Sequence, residues 1–252
     1  MKRVIRNVLT LFLLIFTMVL SIGMKNQYIG IFAEDSNKPI YKVSKEEKEL
    51  ALTFDINWAE NDELYNILDV LDKYNVKATF FIMGGWVNYR EENKEKLKKI
   101  NERGHEIGNH SYIHPMFTKI NEERMKSELE KTNKIIKDTI GVDVNLFRFP
   151  SGDYNKKSIE FVKSNGYEII QWNIDSIDWK QLGEEKEYNN VMKKIEPGSI
   201  ILFHNNAKYT PKNLDKIIKE LQEEGYSFIP VGKMIYNSED SYINENGEQI
   251  KK

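Results

Sequence analysis

Three of the chain's four histidines fall within Gly104 to Pro115, a stretch of twelve residues that reads GHEIGNHSYIHP. His110 and His114 lie four residues apart, just after a short apolar stretch that predicts a strand ending at Asn109. Residues at this spacing are neighbours on a helical surface, so both imidazoles would project from the same side of a loop or helical turn. Two nitrogen ligands placed in this way suit one metal ion. Packing or surface histidines are the alternative, and residues elsewhere in the chain decide between the two.

Short apolar segments alternate with longer amphipathic ones through the body of the chain. The apolar segments predict strands at 50–54, 78–83, 146–149, 167–170, 200–203 and 227–231. The amphipathic segments predict helices at 62–74, 91–103, 121–140, 156–165, 188–195 and 211–224. This alternation predicts an α/β fold with a parallel sheet, either open and doubly wound or closed into a barrel, with about six or seven units. In both architectures the functional site lies beyond the carboxyl ends of the strands.

Polar side chains follow several of these strands directly. Asp55 comes after the segment ALTF, and His204 comes after ILF. The other members of the set are His110, His114, Arg148, Pro150, Asp153, Asp175, Asp178 and Trp179. A single aspartate after a strand is more often a helix cap than a base. Groups of this kind after five strands, all on one predicted edge, favour an active site there.

The composition excludes several classes of function. Apolar residues make up 40% of the chain and aromatic residues 12%, which is enough for a sizeable core. The net charge is only −2 although 30% of residues are charged, so no basic surface is expected for nucleic acid. The chain has no cysteine, which excludes disulfides, thiolate metal ligands and thiol nucleophiles.

The amino terminus has the pattern of an export signal or a membrane anchor. Lys2, Arg3 and Arg6 precede an uncharged apolar run from Val8 to Met24. No clear Ala-x-Ala cleavage site follows, which favours an uncleaved anchor in the cytoplasmic membrane through residues 8–24. The basic residues at the start then predict that the body lies outside the cytoplasm, anchored or secreted to the cell wall. The predicted organisation is a signal or anchor at 1–33, a linker at 34–47, a catalytic domain at 48–235 and a polar tail at 236–252.

The chain resembles the polysaccharide deacetylases of the NodB-homology type, carbohydrate esterase family four. The matching stretches are ALTFD at 51–55, ATFFIMG at 78–84, GHEIGNHSYIHP at 104–115, RFPSGDY at 148–154, DSIDW at 175–179 and ILFH at 201–204. With their spacing they cover roughly residues 48 to 232. The TFDINW form of the first motif is similar to the branch associated with sporulation.

This resemblance implies a distorted (β/α) barrel of about seven units that removes N-acetyl groups from amino-sugar polymers with a divalent metal of the zinc or cobalt type. It implies that His110 and His114 bind the metal and that Asp55 is the general base, held by Arg148. It implies that His204 is the general acid, oriented by Asp178. The implied substrate-binding positions are Ser151, through its backbone N–H, with Tyr154, Trp179 and Leu202. Amide hydrolysis needs an electrophile, a base for water and an acid for nitrogen, and these residues supply all three.

The first motif departs from the family pattern at one position. The family usually has a second aspartate after the base, which completes a His-His-Asp metal site, but here the position is Ile56. Isoleucine cannot bind a metal, so Asn57 or Asp55 would have to serve as the third ligand. Two imidazoles without a second carboxylate hold a divalent ion less tightly, because one negative charge is missing.

Three functions therefore remain open from the sequence. The first is a metal-dependent peptidoglycan deacetylase acting on N-acetylglucosamine or N-acetylmuramic acid units. The second is a catalytically impaired protein that binds glycan on the deacetylase scaffold, for which Ile56 is the main support. The third is an amidase or other metal hydrolase acting on a non-sugar amide. Among the remaining residues, His105 is expected to be structural, and Asp175 is either a turn cap or part of the site.

Overall fold

The structure, a computed structural model, describes residues 38–252. Its strands are β1 Lys42–Val43, β2 Glu49–Ile56, β3 Thr79–Ile82, β4 Glu106–Asn109, β5 Leu146–Phe147, β6 Glu168–Ile169, β7 Ile174–Asp175, β8 Ile200–His204, β9 Ser227–Phe228, β10 Ser241–Ile243 and β11 Glu248–Lys251. Its helices are α1 Leu64–Lys73, α2 Gly84–Tyr89, α3 Glu91–Glu102, α4 Glu122–Ile140, α5 Lys156–Ser164, α6 Glu184–Met192, α7 Thr210–Glu223 and α8 Val231–Met234. In this part of the chain, no helix is long and apolar enough to cross a membrane.

The main sheet is parallel and has the order β6-β5-β4-β3-β2-β8-β7, with β9 paired to the start of β2. Its path runs through seven strands, and helices join most successive strands. The prediction of a distorted (β/α) barrel of about seven units is confirmed. Within residues 38–252 the barrel is not closed by strand pairing, because β6 and β7 stand at the two ends of the sheet.

The two faces of β2 show how the sequence divides the barrel. Side chains alternate across a strand, and Leu52, Phe54 and Ile56 all belong to the fully buried apolar cluster under the helices. Thr53 and Asp55 face the other way, into the barrel, where both accept hydrogen bonds from Arg148. The apolar face of β2 fixes the register of the strand, and its polar face carries Thr53 and Asp55 of the candidate site.

The helices lie close to their predicted positions. Asn121 caps α4 by accepting a hydrogen bond from the Arg124 N–H, and Gly141 ends the helix with φ 74°. Helix α6 begins at Glu184, four residues earlier than predicted, and α2 was not predicted at all. A Cβ at Gly85 in α2 would lie 2.6 Å from the Tyr112 carbonyl oxygen, so this helix packs against the histidine loop only with glycine there.

The structure corrects the prediction of a linker at 34–47 and a polar tail at 236–252. Strand β1 pairs in parallel with β11, and β10 pairs with β11 in antiparallel fashion, so both segments form one small sheet. Ile40 bridges Ile170 beside β6, and Lys42 bridges Ser199 just before β8, so this segment fills the gap that the main sheet leaves open. The predictions for residues 1–33, and for the first residues of the linker, lie outside the described part of the chain.

Candidate active site

Four predicted site residues meet at the carboxyl edge of the main sheet. Asp55 lies near the end of β2, and His204 ends the neighbouring strand β8. The two are register partners on adjacent parallel strands, so the backbone fixes their separation. His110 and Arg148 reach the same edge because each directly follows its strand, β4 or β5.

Arg148 is fully buried and holds Asp55 in place. Its Nη1 donates to Asp55 Oδ1 (2.9 Å) and to Thr53 Oγ1 (2.9 Å). Its Nε and Nη2 donate to the backbone carbonyls of Ile170 (3.2 Å) and Gln171 (3.0 Å). A guanidinium makes all four bonds from one rigid fork, which fixes both the charge and the orientation of the carboxylate.

The surroundings of Asp55 keep its carboxyl ionised. Burial alone raises the pKa of a carboxyl, but interactions with His110, Arg148 and His204 outweigh burial and lower the pKa of Asp55. A buried carboxylate that is ionised at neutral pH can accept a proton from water.

The imidazole of His110 is buried in a defined tautomer. Its Nδ1 lies 3.0 Å from the Arg148 carbonyl oxygen, which can only accept, so Nδ1 carries the proton. Its Nε2 has no hydrogen-bond partner among the described residues and lies 3.5 Å from Asp55 Oδ2. Burial lowers the pKa of His110 to about 4, so the ring is neutral at pH 7 and Nε2 has a free lone pair. The ring of His114 is 4.9 Å away, centroid to centroid.

The segment between the two histidines is a tight loop, not a helical turn. Ser111 and His114 both have positive φ, 66° and 61°, a conformation that costs energy for residues other than glycine. Glu128 of α4, itself buried, accepts hydrogen bonds from the N–H groups of Tyr112 and Ile113 at 2.8 Å each. The Ser111 hydroxyl accepts from the His114 N–H (3.0 Å). The surrounding contacts therefore hold a strained loop in one shape.

A divalent metal would find two nitrogen donors here. The buried, unpartnered Nε2 of His110, within residues 38–252, fits a metal ligand, and His114 is placed to be the second. When bound, such an ion polarises a carbonyl and activates water. No group of three His, Cys, Asp or Glu side chains that could hold a metal occurs among the described residues.

Of the positions considered for a third ligand, only Asp55 places a carboxylate here, with its Oδ2 3.5 Å from His110 Nε2. The side chain of Ile56 is fully buried under the helices, on the face of β2 opposite Asp55. Asn57 is held through its backbone, since its N–H donates to Asn205 Oδ1 (2.9 Å) and its carbonyl accepts from Asn205 Nδ2 (3.3 Å). The two imidazoles thus fit a divalent ion, but they would bind it with lower affinity than a site with three protein ligands.

His204, with 14% of its side chain exposed, pairs with the buried Asp178. His204 Nδ1 lies 2.7 Å from Asp178 Oδ1, and the His204 N–H donates to Oδ2, also at 2.7 Å. Burial lowers the pKa of His204, but the hydrogen bond to Asp178 and the charges of Asp178, Asp55 and Asp175 raise it above its usual value overall. The imidazole therefore favours its charged form, which suits a group that donates a proton.

The predicted substrate-binding residues differ in accessibility. Ser151 is exposed and has φ 55°, and Trp179 is 53% exposed next to Asp178. Tyr154 is partly buried and its hydroxyl lies 2.6 Å from that of Tyr41. Leu202 is nearly fully buried in β8, two residues before His204 and on the same face. Ser151 and Trp179 are therefore the most accessible of the four to a polymer.

Three other residues of the predicted set have structural contacts. His105 Nδ1 accepts a hydrogen bond from the Ala78 N–H (3.2 Å) at the amino end of β4, far along the strand from the site, as expected for a structural residue. Asp153 accepts two hydrogen bonds from Thr118 (2.8 and 3.0 Å). Asp175 caps a turn by accepting from the Ile177 N–H (2.8 Å).

Sequence reasoning missed the residues that support the site, namely Glu128, Glu187, Asn205 and Thr210. Glu128 and Glu187 lie on the buried faces of their helices, so each is a carboxylate inside an apolar stripe. That break in periodicity was a usable signal. Asn205 and Thr210 had no comparable signal, because a polar residue in a loop or at a helix start is ordinary.

The fold and the arrangement of these side chains at the carboxyl edge of the sheet match the polysaccharide deacetylase class. The family model for polysaccharide deacetylase matches residues 42–170, and the chain belongs to that family. The uncharacterised protein YlxY of Bacillus subtilis (strain 168) is 35% identical over 198 residues, which are 79% of this chain and 60% of YlxY, so the chain spans less than two thirds of that relative. A peptidoglycan-N-acetylglucosamine deacetylase of Bacillus cereus is 34% identical over 200 residues, 76% of this chain and 70% of that protein.

Solved structures add a contrasting relative. BA3943 of Bacillus anthracis, described as a CE4 family pseudoenzyme, is 35% identical with a TM-score of 0.73, covering 79% of this chain and 69% of that one. A mutant of the same protein is described as having restored enzymatic activity. The chain is therefore similar both to named deacetylases and to a pseudoenzyme.

Proposed function

We propose that this protein hydrolyses N-acetyl groups on the amino sugars of peptidoglycan. The observation that carries the proposal is a pair of acid–base contacts, Asp55 with Arg148 and His204 with Asp178, whose Asp55 and His204 are register partners on adjacent strands at one edge of the sheet. A protein that only binds glycan needs neither an ionised carboxylate nor an imidazole with a raised pKa there. The named deacetylase among its relatives supports peptidoglycan as the substrate.

The chemistry follows from the two pairs. Asp55 accepts a proton from the water that attacks the acetamide carbonyl carbon, and Arg148 keeps the carboxylate turned towards that water. His204 donates a proton to the departing nitrogen as the carbon–nitrogen bond breaks, so that acetate and a free amine leave. A divalent ion on His110 and His114 would polarise the carbonyl and lower the pKa of the water.

The proposal extends to the place of action. The basic residues and apolar run at the amino terminus support a protein held on, or exported across, the cytoplasmic membrane, with the catalytic domain facing the cell wall. The TFDINW motif supports a role in spore formation. Fractionation of cells and staging of expression would test these two points.

The test uses the full-length protein purified without chelator. Its metal content is measured, and acetate release from peptidoglycan is followed with and without added zinc or cobalt, in parallel with Asp55→Asn and His110→Ala. Asp143→Asn, at an exposed position, serves as the control. Metal-dependent acetate release that both site variants abolish and the control retains supports the proposal, and no acetate from any cell-wall substrate refutes it.

A second function, glycan binding without turnover, is favoured by one observation. Ile56 occupies the usual ligand position, and the described residues contain no three-residue metal group. The similar pseudoenzyme supports this alternative. It predicts co-sedimentation with insoluble peptidoglycan and no acetate release at any metal concentration.

A further inference from the structure

Asp178 accepts four hydrogen bonds, and the last of them leads away from the active site. Its Oδ1 faces His204 Nδ1 and accepts from the Trp179 N–H (2.7 Å), and its Oδ2 accepts from the His204 N–H. The fourth partner is the hydroxyl of Thr210, the first residue of α7, at 3.1 Å from Oδ2.

The Thr210 hydroxyl lies between two carboxyl groups. Its Oγ1 is 3.1 Å from Asp178 Oδ2 and 3.1 Å from Glu187 Oε1 of α6. All three side chains are buried, with 0%, 1% and 4% of their surface exposed for Thr210, Asp178 and Glu187. A hydroxyl has one hydrogen to donate, and two carboxylates can only accept. One of the two carboxyl groups must therefore carry a proton for both contacts to be hydrogen bonds.

The proton belongs on Glu187. Asp178 already accepts from the Trp179 and His204 N–H groups and faces His204 Nδ1, so none of these contacts needs a proton from Asp178. Glu187 Oε2, by contrast, has no hydrogen-bond partner within residues 38–252. Burial raises the pKa of Glu187 to about 7, and the charge of Asp178 adds to the rise. Hydrogen bonds with Asn213 and Thr210 oppose this rise in pKa. The Asn213 amide nitrogen also donates to the Glu184 carbonyl (3.1 Å).

We propose that Glu187 and Thr210 are positioning residues: the protonated Glu187 carboxyl donates to the Thr210 hydroxyl, which donates to Asp178 and so fixes the aspartate that orients His204. The chain of bonds ties three elements together, namely α6, the start of α7 and the 3₁₀ turn Asp178–Lys180 that follows β7. A rotation of the Asp178 carboxylate would misdirect the His204 ring, and this chain opposes that rotation. Its effect on turnover rests on the proposed function, but its effect on the Asp178–His204 bond does not.

The test compares variants of nearly equal shape. Thr210→Val removes the hydroxyl and Thr210→Ser keeps it, while Glu187→Gln keeps a donor and Glu187→Met removes it. We expect Thr210→Val and Glu187→Met to lower kcat by roughly tenfold or more, a share of the 10²–10⁴ that a general acid supplies, with little change in KM. Thr210→Ser and Glu187→Gln should stay within about threefold of the wild type.

A spectroscopic signal separates positioning from mere stability and from failure of the enzyme assignment. The chain has only four histidines, so the Nδ1–H proton of His204 can be assigned by NMR in the full-length, ¹⁵N-histidine-labelled protein. We expect this resonance to shift upfield in Thr210→Val and Glu187→Met and to stay in place in the two conservative variants, even if no acetate is released. An unchanged resonance in folded Thr210→Val would overturn the proposal, and so would a Glu187→Gln variant that behaves like Glu187→Met.

Discussion

At the scale of single residues, Ile56 has a consequence beyond a missing metal ligand. The side chain lies with Leu52 and Phe54 in the core under the helices, not in the space beside Asp55. Ile56 therefore contributes to the stability of the fold. It also stands where the first motif usually has a second aspartate. A return to aspartate would have to offset the loss of this packing.

Replacing Ile56 by aspartate tests this double role. We expect Ile56→Asp to lower the free energy of unfolding by about 3–5 kcal/mol in metal-free buffer, because it removes buried apolar surface and introduces a charge into the core. Zinc should then restore part of the loss by binding the folded state. Thermal melts with and without zinc measure both effects.

Ile56→Val provides the matched control, since it keeps an apolar side chain and should cost only about 1 kcal/mol, with the same response to zinc as the wild type. A melting temperature for Ile56→Asp equal to that of the wild type in metal-free buffer would show that residue 56 is not part of the core.

The positions of the proposed catalytic residues were predictable because these residues stand at the ends of strands. Asp55, His110, Arg148 and His204 each stand at a strand end, and topology alone brings strand ends together. The contacts around them were not predictable. Asn205 holds the Asn57 backbone from another strand, and no local pattern encodes a partner nearly 150 residues away.

At the scale of elements, α4 supports the histidine loop through one carboxylate. Glu128 Oε2 receives the two N–H groups of Tyr112 and Ile113, and Oε1 receives the Arg124 guanidinium (2.8 Å from Nε). Through Glu128, helix α4 therefore holds the strained backbone between His110 and His114. Its amphipathic periodicity and caps were predictable from sequence, but the partner of its buried carboxylate was not.

We expect Glu128→Gln to loosen this loop while leaving the fold intact. An amide presents a donor where one of the carboxylate oxygens accepts, and charge-assisted bonds are about twice as strong as neutral ones. Hydrogen exchange at the amides of residues 112 and 113 should speed up by roughly tenfold, equivalent to about 1.4 kcal/mol.

Glu130→Gln, at an exposed position of the same helix, is the control and should leave exchange at these amides unchanged. If Glu128→Gln exchanged no faster than the control, the loop would owe its shape to other contacts, such as the Ser111 hydroxyl.

At the scale of the whole molecule, acid stability depends on buried groups with opposite effects. Burial lowers the pKa of His105 to about 4 and raises the pKa of Glu187 to about 7. As pH falls from 6.5 to 4, an unfolded chain protonates this histidine before the folded chain does, so stability falls. As pH falls from 7 to 4.5, the folded chain protonates Glu187 first, so stability rises.

Two variants should therefore change the pH dependence in opposite directions. Between pH 7 and pH 4.5, His105→Gln should make the loss of stability shallower and Glu187→Gln should make it steeper, each by up to roughly 3 kcal/mol. Urea unfolding of both variants and the wild type at the two pH values measures the difference. A change of the same sign in both variants would contradict the assigned protonation states.

The small sheet formed by β1, β10 and β11 depends on a buried amide. Gln249, 2% exposed, bonds to both backbone groups of Tyr236 (2.9 and 2.8 Å) and to the Ser241 hydroxyl (3.0 Å). We expect Gln249→Leu to lower the free energy of unfolding by about 2–4 kcal/mol, because the Tyr236 groups lose their partners. Lys251→Leu, exposed on the same strand, should change it by less than about 0.5 kcal/mol. Chemical denaturation of both variants checks this, and equal stabilities would mean that the sheet is dispensable.

The polar composition of residues 34–47 and 236–252 explains why this sheet was not predicted. Its strands are two to four residues long, and their register is set by pairing between distant segments rather than by a local apolar pattern.

The pairing of β1 with β11 also fixes the order of events during biosynthesis. Lys42 emerges from the ribosome early, but its partner Glu248 is made about 200 residues later. At ~5–20 residues per second that interval lasts about 10–40 s. Throughout it, the segment that bridges Ile170 and Ser199 lacks the strand that pairs with β1. The growing chain can form the main sheet before this point, but the small sheet is complete only when β11 has been synthesised.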